Sequence, residues 1–425
     1  ASPQMGSGPY ACGMWTDPKK YWEALTAATA DRPAPCAVVE AGAWAHNRGE
    51  LVRRVADARS DAGMTGSLPI RVASKSIRVR GLVESLLRQD GFAGVLAFTL
   101  AEANWLVDQG VGDVVVGYPT ADAAAISRLC ADERRASAIT LMVDAVEQLD
   151  LIDAVLPASR RPELRVALEV DVSYNLPGMR VGVYRSPVRA AQDARELAEK
   201  VAARQGFRLV GLMAYEAQLA GVGDVPSGSF IEQARTRAIQ VLQSRSRPQV
   251  AEIRGEAVAQ VREVAELEFV NGGGTGSIES TAQDESVTEI AAGSGLFGPG
   301  LFDHYRAFLP APAAAFALDV VRKPTPDMAT LLGGGWIASG PPSSSRLPVL
   351  TWPPGLGYVD EEMAGEVQTP LTGAEDLRVG DRVWLRHAKA GELAERVNHL
   401  TVVDAESVAV IAELPTYRGE GHAFL

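Results

Sequence analysis

Ile70-Arg-Val-Ala-Ser-Lys75-Ser-Ile-Arg-Val79 is the stretch whose reading decides the fold. Residues 70–73 form a short, mostly apolar run that reads as a strand and hands over directly to a lysine, after which 81–88 takes a helical pattern. A side chain at the exit of a strand stands where α/β barrels place their catalytic groups. Lysine is also the residue that forms Schiff bases with carbonyl compounds. Most lysines that follow strands are solvated surface groups, so a second stretch has to answer the first.

Phe269-Val-Asn-Gly-Gly-Gly-Thr-Gly-Ser277 does so. It too begins as a strand, and it ends in a glycine-rich turn. Bare glycines let a backbone approach an anion, and successive N–H groups can hold phosphate oxygens together with the Thr275 and Ser277 hydroxyls. Barrels of alternating strands and helices often carry their phosphate site in the loops after the last strands. The turn lacks the lysine of a Walker loop and the spacing of a dinucleotide fingerprint, which argues against a nucleotide. A lysine and a phosphate turn leave open a barrel aldolase that attacks a sugar-phosphate carbonyl with Lys75 itself.

Between and around these stretches the pattern alternates. Strand-like runs fall at 36–39, 70–73, 95–98, 114–117, 139–143, 165–171, 209–214, 268–271 and 288–292, with amphipathic helical segments between them, such as 47–61, 100–109 and 232–261. Buried strands separated by helices predict a parallel sheet, and this many units predict a closed (βα)₈ barrel rather than an open sheet. Lys75, Arg180, Tyr215 and the 272–277 loop all follow strands, so a barrel would gather them on one rim. After Pro310-Ala-Pro312 the texture changes to short strands and Pro/Ser-rich loops, as at 315–321, 380–385 and 399–403. The expected organisation is therefore an N-terminal arm at 1–35, a barrel at 36–308 and a C-terminal β domain at 309–425. The aromatic segment 10–22 reads as a packed arm.

Bulk properties narrow the function. The 425 residues carry 53 acidic and 41 basic side chains, a net charge of −12 that argues against nucleic-acid or anionic-membrane partners. No apolar run reaches the roughly 20 residues that span a bilayer. Cys12, Cys36 and Cys130 have no metal-ligand spacing and are too few for a disulfide framework, which suits a reducing, cytoplasmic setting.

Together the two stretches resemble the fold-type III pyridoxal-phosphate enzymes, the alanine racemase-like barrels that include D-threonine aldolase and D-serine dehydratase. Ala37-Val-Val-Glu40 followed by Asn47 looks like that family's opening strand and helix. Asp171 through Arg180-Val-Gly-Val183 looks like its Asp…Arg-x-Gly-Val segment. Gly211-Leu-Met-Ala-Tyr215 and Ala292-Gly-Ser-Gly295 resemble its tyrosine strand and final phosphate turn. Gly365-Glu-Val-Gln-Thr-Pro-Leu371 and Arg386-His-Ala-Lys-Ala-Gly-Glu392 are similar to an actinobacterial group described as amino acid deaminase/aldolase.

The resemblance implies pyridoxal 5′-phosphate as cofactor, with Lys75 as its Schiff-base lysine and then a base at the α-carbon. It implies a phosphate cradle from Gly273, Gly274, Thr275, Gly276 and Ser277 with Gly293 and Ser294. Arg180 would lie against the ring or hold the substrate carboxylate, and Tyr215 would contact the ring or position the substrate. In metal-dependent members the C-terminal motif is His-x-Asp or His-x-Cys; here the comparable residues are His387 and Lys389. An ammonium is no ligand, which argues against a divalent-metal site built by the protein. His387 would then move the β-hydroxyl proton, with Lys389 supplying positive charge and Glu366 and Glu392 orienting them.

The implied function is a lyase acting on a small, D-configured β-hydroxy amino acid. Retro-aldol cleavage to glycine and an aldehyde comes first, with D-serine/D-threonine dehydration and racemisation as alternatives and a non-catalytic cofactor carrier as the rival outside enzymology. The resemblance also implies a homodimer.

Overall fold

The computed structural model describes residues 17–425 except 177, 222, 224–229, 307 and 341–342. Cys12 and the aromatic residues Tyr10 and Trp15 of the expected arm lie outside the described residues. The chain forms two compact units interleaved along the sequence. One comprises residues 51–75 and 83–293 with the last two residues, and the other residues 17–50, 76–82 and 294–423.

The first unit is the barrel. Strands β2 (Ile70–Ala73), β3 (Phe92–Ala97), β4 (Val114–Val116), β5 (Ile139–Val143), β6 (Leu164–Glu169), β9 (Phe207–Ala214), β10 (Phe269–Gly272) and β11 (Glu289–Ala292) close into an eight-stranded barrel. Every neighbouring pair is parallel, including β6 with β9 and β11 with β2. The short hairpin β7 (Tyr174–Leu176) and β8 (Met179–Val181) interrupts the series on the far side of β6.

Helices between the strands begin where the sequence provides caps. Asp122 accepts from Ala124 and Ala125 N–H at the head of Ala123–Cys130, and Thr99 accepts from Glu102 N–H at the head of Leu100–Asp108. Val115, Met142, Ala167, Val210, Met213 and Phe269 form one apolar cluster on the barrel strands. Gly211 is obligatory beside it, because a Cβ there would stand 2.3 Å from the Phe269 ring.

A polar plug sits at the end where the strands begin. Arg71 donates from Nε and Nη2 to the two oxygens of Glu289 at 2.6 and 2.8 Å, and Asn271 donates to the same carboxylate at 2.8 Å. Asp113 lies 3.0 Å from Arg71 Nη1. A bidentate pair with its spare lone pairs occupied is the arrangement that makes a buried charge tolerable.

The second unit is strand-rich. β1 (Cys36–Glu40) pairs antiparallel with β12 (Ala314–Arg322) and parallel with β18 (His399–Val403), inside a nine-stranded sheet. This corrects the expectation that residues 36–39 open the barrel. Nine strand-like runs precede residue 293, a barrel of this kind takes eight, and the first finds its partners 275 or more residues downstream. Cys36 and Val38 pack there with Tyr21, Trp22 and Leu25, and with Trp384 of β17 (Arg382–Arg386). The described end of the aromatic arm is thus a helix, Pro18–Ala28, seated on that sheet. Asn47 closes three hydrogen bonds onto the backbones of Leu296 and Ala311, a structural clamp.

Candidate active site

Because the barrel strands run parallel, their C-terminal ends share a rim. Lys75 comes two residues after β2, Tyr118 two after β4, Asp171 two after β6, Tyr215 directly after β9, Gly273 to Ser277 after β10 and Gly293 after β11. The backbone of Gly293 is pressed so closely on β2 that a Cβ would lie 2.6 Å from the Ala73 carbonyl oxygen. Ser294 follows it and opens a short 3₁₀ turn, Ser294–Leu296.

Lys75 is exposed, and its Nζ donates to the Tyr118 hydroxyl at 2.7 Å. The Arg185 guanidinium carbon lies 5.5 Å from the centre of the Tyr118 ring and 5.4 Å from that of Tyr215, so one cation bridges two aromatic faces. Burial pushes the Tyr215 hydroxyl up to about 12, against the pull of Arg185. At neutral pH it is a donor and not a base. Tyr118 and Arg185 were absent from the sequence reading. Tyr118 stands two residues after a strand, as Lys75 does, and that spacing was the available signal.

Beneath them Glu169, 4% exposed, ends β6. Burial, with Asp144 and Asp171 adding to it and Arg185 opposing, pushes its carboxyl up to about 7. An acid whose pKa is higher folded than unfolded costs stability as pH rises from the unfolded value, near 4.5, through 7. Glu169→Gln is therefore expected to flatten that part of the profile. It should raise the unfolding midpoint at pH 8, by up to about 3 kcal/mol of stability, and change little at pH 5; a midpoint unchanged at both would refute this.

The glycine turn rests on a buried ionic layer. Glu216 accepts from Gly273 N–H at 3.1 Å, from the Ser277 hydroxyl at 3.1 Å and from the Thr281 hydroxyl. Arg254 donates to Glu216 and to Asp284, each at 2.7 Å, and to the Ala214 carbonyl at 3.0 Å. From the other side Arg54 donates to the Thr275 carbonyl at 2.9 Å while paired to Glu279. Two groups expected to face a phosphate, Gly273 N–H and the Ser277 hydroxyl, thus point into the protein. Gly276 N–H has no acceptor among the described residues. A side chain at Gly274 would meet Ala220 at 3.0 Å and the Tyr215 ring at 3.3 Å, so bare backbone is required there. An unpaired backbone donor in a rigid glycine turn, on the same rim as an exposed amine, fits a phosphorylated aldehyde cofactor.

Arg180 Nη1 lies 3.2 Å from Asp171 Oδ2, and its guanidinium stacks on Tyr184 at 4.5 Å. In the strand-rich unit His387 is 4% exposed, set edge-on to Phe297, and neither ring nitrogen completes a hydrogen bond. Burial and the neighbouring Arg386 bring its pKa down to about 3, so its imidazole is neutral at pH 7. Lys389 Nζ donates to the Ser339 hydroxyl at 2.5 Å and lies 4.0 Å from Glu392. No group of three or more His, Cys, Asp or Glu side chains arranged to hold a metal occurs among the described residues.

Residues 73–299, more than half of the chain, match the alanine racemase N-terminal domain family. The chain belongs to that family, the pyridoxal-phosphate barrels of fold type III that its motifs resemble. It is 27% identical over 265 residues to the 3-hydroxy-D-aspartate aldolase of Paracoccus denitrificans, a match spanning 62% of this chain and 60% of that relative. Among solved structures, D-threonine aldolase from Filomicrobium marinum superposes with a TM-score of 0.72 at 20% identity, covering 92% of this chain and 96% of that one. D-threo-3-hydroxyaspartate dehydratase from Delftia sp. HT23 does so with a TM-score of 0.65 at 18% identity, covering 92% and 98%. These two likenesses establish the fold.

Proposed function

We propose that the chain is a pyridoxal-phosphate-dependent lyase that cleaves a small D-β-hydroxy amino acid to glycine and an aldehyde. The observation that carries this is the shared rim of Lys75 and the 273–277 turn. Lys75 would hold the cofactor's aldehyde carbon. Gly276 N–H, with the turn that Glu216 and Arg54 fix from behind, would hold the phosphate. Tyr215, protonated at neutral pH, would donate a hydrogen bond beside it. When bound, the cofactor supplies an electron sink for the charge left on the α-carbon.

The cleavage breaks the Cα–Cβ bond. The β-hydroxyl loses its proton and its carbon becomes the aldehyde carbonyl; the α-carbon keeps the electron pair and takes a proton, giving glycine. His387 is the proposed acceptor of the hydroxyl proton, from its place in the C-terminal motif and because its imidazole is neutral at pH 7. An anionic substrate opposes the effect of burial and raises its basicity. Lys389 contributes positive charge in place of a metal. The 3-hydroxyaspartate acted on by the named relative is a substrate of the same class.

The active species is proposed to be a homodimer in the cytoplasm. Cys36 and Cys130 are free and buried, in keeping with a reducing compartment. No helix among the described residues is long and apolar enough to cross a membrane.

Cofactor-loaded protein given D-threonine or D-3-hydroxyaspartate is expected to yield glycine with acetaldehyde or glyoxylate, undiminished by chelator. Borohydride reduction should leave the cofactor on the peptide that carries Lys75. A 2-oxo acid with ammonia would make the enzyme a dehydratase instead. Loss of turnover with chelator would defeat the role given to Lys389.

A further inference from the structure

An amino acid brings a carboxylate to any site that works on its amino group, and a protein of net charge −12 must meet it with a local cation. Three arginines follow β6 on the rim. Arg180 and Arg189 lie 3.2 and 3.8 Å from the Asp171 carboxylate, so their charges are already answered. Arg185 makes no hydrogen bond or ion pair among the described residues. It is exposed, and its guanidinium carbon lies 5.5 Å from the centre of the Tyr118 ring and 5.4 Å from that of Tyr215. Tyr118 is also the residue whose hydroxyl takes the Lys75 amine, so an open guanidinium and the amine share one aromatic ring. The carboxyl behind Arg185 is Glu169, too deeply buried to be a fully charged partner below pH 7.

We propose that Arg185, and not the motif residue Arg180, receives the α-carboxylate of the substrate. The assignment rests on the proposed function, with Lys75 as the amine of the site. The α-carboxylate is two bonds from the α-amino group, so any amino acid engaged near Lys75 presents it close by. A guanidinium that lies over two rings and keeps its N–H groups open can take both carboxylate oxygens at once. Holding the carboxylate fixes which bond of the α-carbon is placed to break, which makes Arg185 a determinant of specificity.

The test uses holoenzyme and ligands that cannot be cleaved. Alanine, as whichever enantiomer the wild type binds better, carries the carboxylate, and the matching alaninol lacks it. Binding is read from the cofactor's absorbance. Arg185→Met is expected to keep its cofactor and resting spectrum, to bind alanine about 10- to 100-fold more weakly, and to bind alaninol as the wild type does. Arg185→Lys should recover part of the loss.

An equal loss for alanine and alaninol, or no loss for either, overturns the assignment. A variant that sheds cofactor or changes its resting spectrum also does, since Arg185 would then serve the cofactor. Borohydride trapping separates the two readings. Cofactor on Lys75 with alanine affinity unchanged in the variant sinks Arg185 alone. Absence of the Lys75 adduct, or wild type that binds neither enantiomer, sinks the proposed function and this assignment with it.

Discussion

Lys75→Met is expected to lower turnover by at least about 10³-fold, the scale seen when a residue that acts covalently is removed, while leaving the fold in place. The side chain is exposed and its Nζ lies on the Tyr118 hydroxyl, itself on the rim. Methionine keeps the length of the stem without the amine, and exposed substitutions of this kind shift stability by no more than about 0.5 kcal/mol. Loss of activity with an unchanged unfolding midpoint therefore separates a chemical role from a structural one. The borohydride adduct should vanish with the amine, and a small primary amine in solution should restore some turnover. Activity within tenfold of the wild type would remove Lys75 from the chemistry and defeat every Schiff-base reading at once, the sugar-phosphate aldolase included.

Arg254→Met is expected to have the larger effect on stability. Arg254 and Glu216 are each 1% exposed in their side chains, and Arg254 also answers Asp284. Removing the guanidinium leaves two buried carboxylates unpaired, and breaking a buried pair in this way costs about 3–5 kcal/mol. The damage should reach the chemistry as well. Glu216 holds Gly273 N–H and the Ser277 hydroxyl, so a disturbed Glu216 loosens the turn proposed for the phosphate. The unfolding midpoint and the cofactor dissociation constant should both worsen; a fall in stability with cofactor affinity intact would confine Arg254 to the barrel scaffold. Arg254→Lys is expected to rescue little, because one ammonium cannot bridge both carboxylates and the Ala214 carbonyl.

Local chemistry made much of the barrel legible. Runs such as 139–143 and 114–117 are apolar and β-branched, and a residue just past such a run lands on the rim whatever the rest of the chain does. Lys75, Tyr215 and the glycine turn could therefore be placed together from sequence. Other features depend on pairings that no local pattern records. The strand at 36–40 reads like any barrel strand, and only its partners at 314–317 and 400–403 assign it elsewhere. Arg185 resembles a loop arginine until the fold brings the Tyr118 and Tyr215 rings to within 5.5 Å of it. Ser277 reads as a phosphate ligand until Glu216, 61 residues earlier, claims its hydroxyl. In the strand-rich unit, Met328–Leu332 and Gln368–Thr372 pair with each other across a long excursion and have exposed ends, so neither carries a clear alternation.

The place of β1 also limits how this protein can be cut and recombined. A truncation after residue 308 would strip Cys36–Glu40 of both neighbouring strands and leave Cys36 and Val38 without most of their apolar cover. A single crossover that swapped the C-terminal segment for a relative's would have to supply a compatible edge on each side of β1. The two units therefore cannot be exchanged as consecutive cassettes. Chimeras need at least two junctions, one early and one late, and the early one must carry residues 36–40 with the sheet they complete.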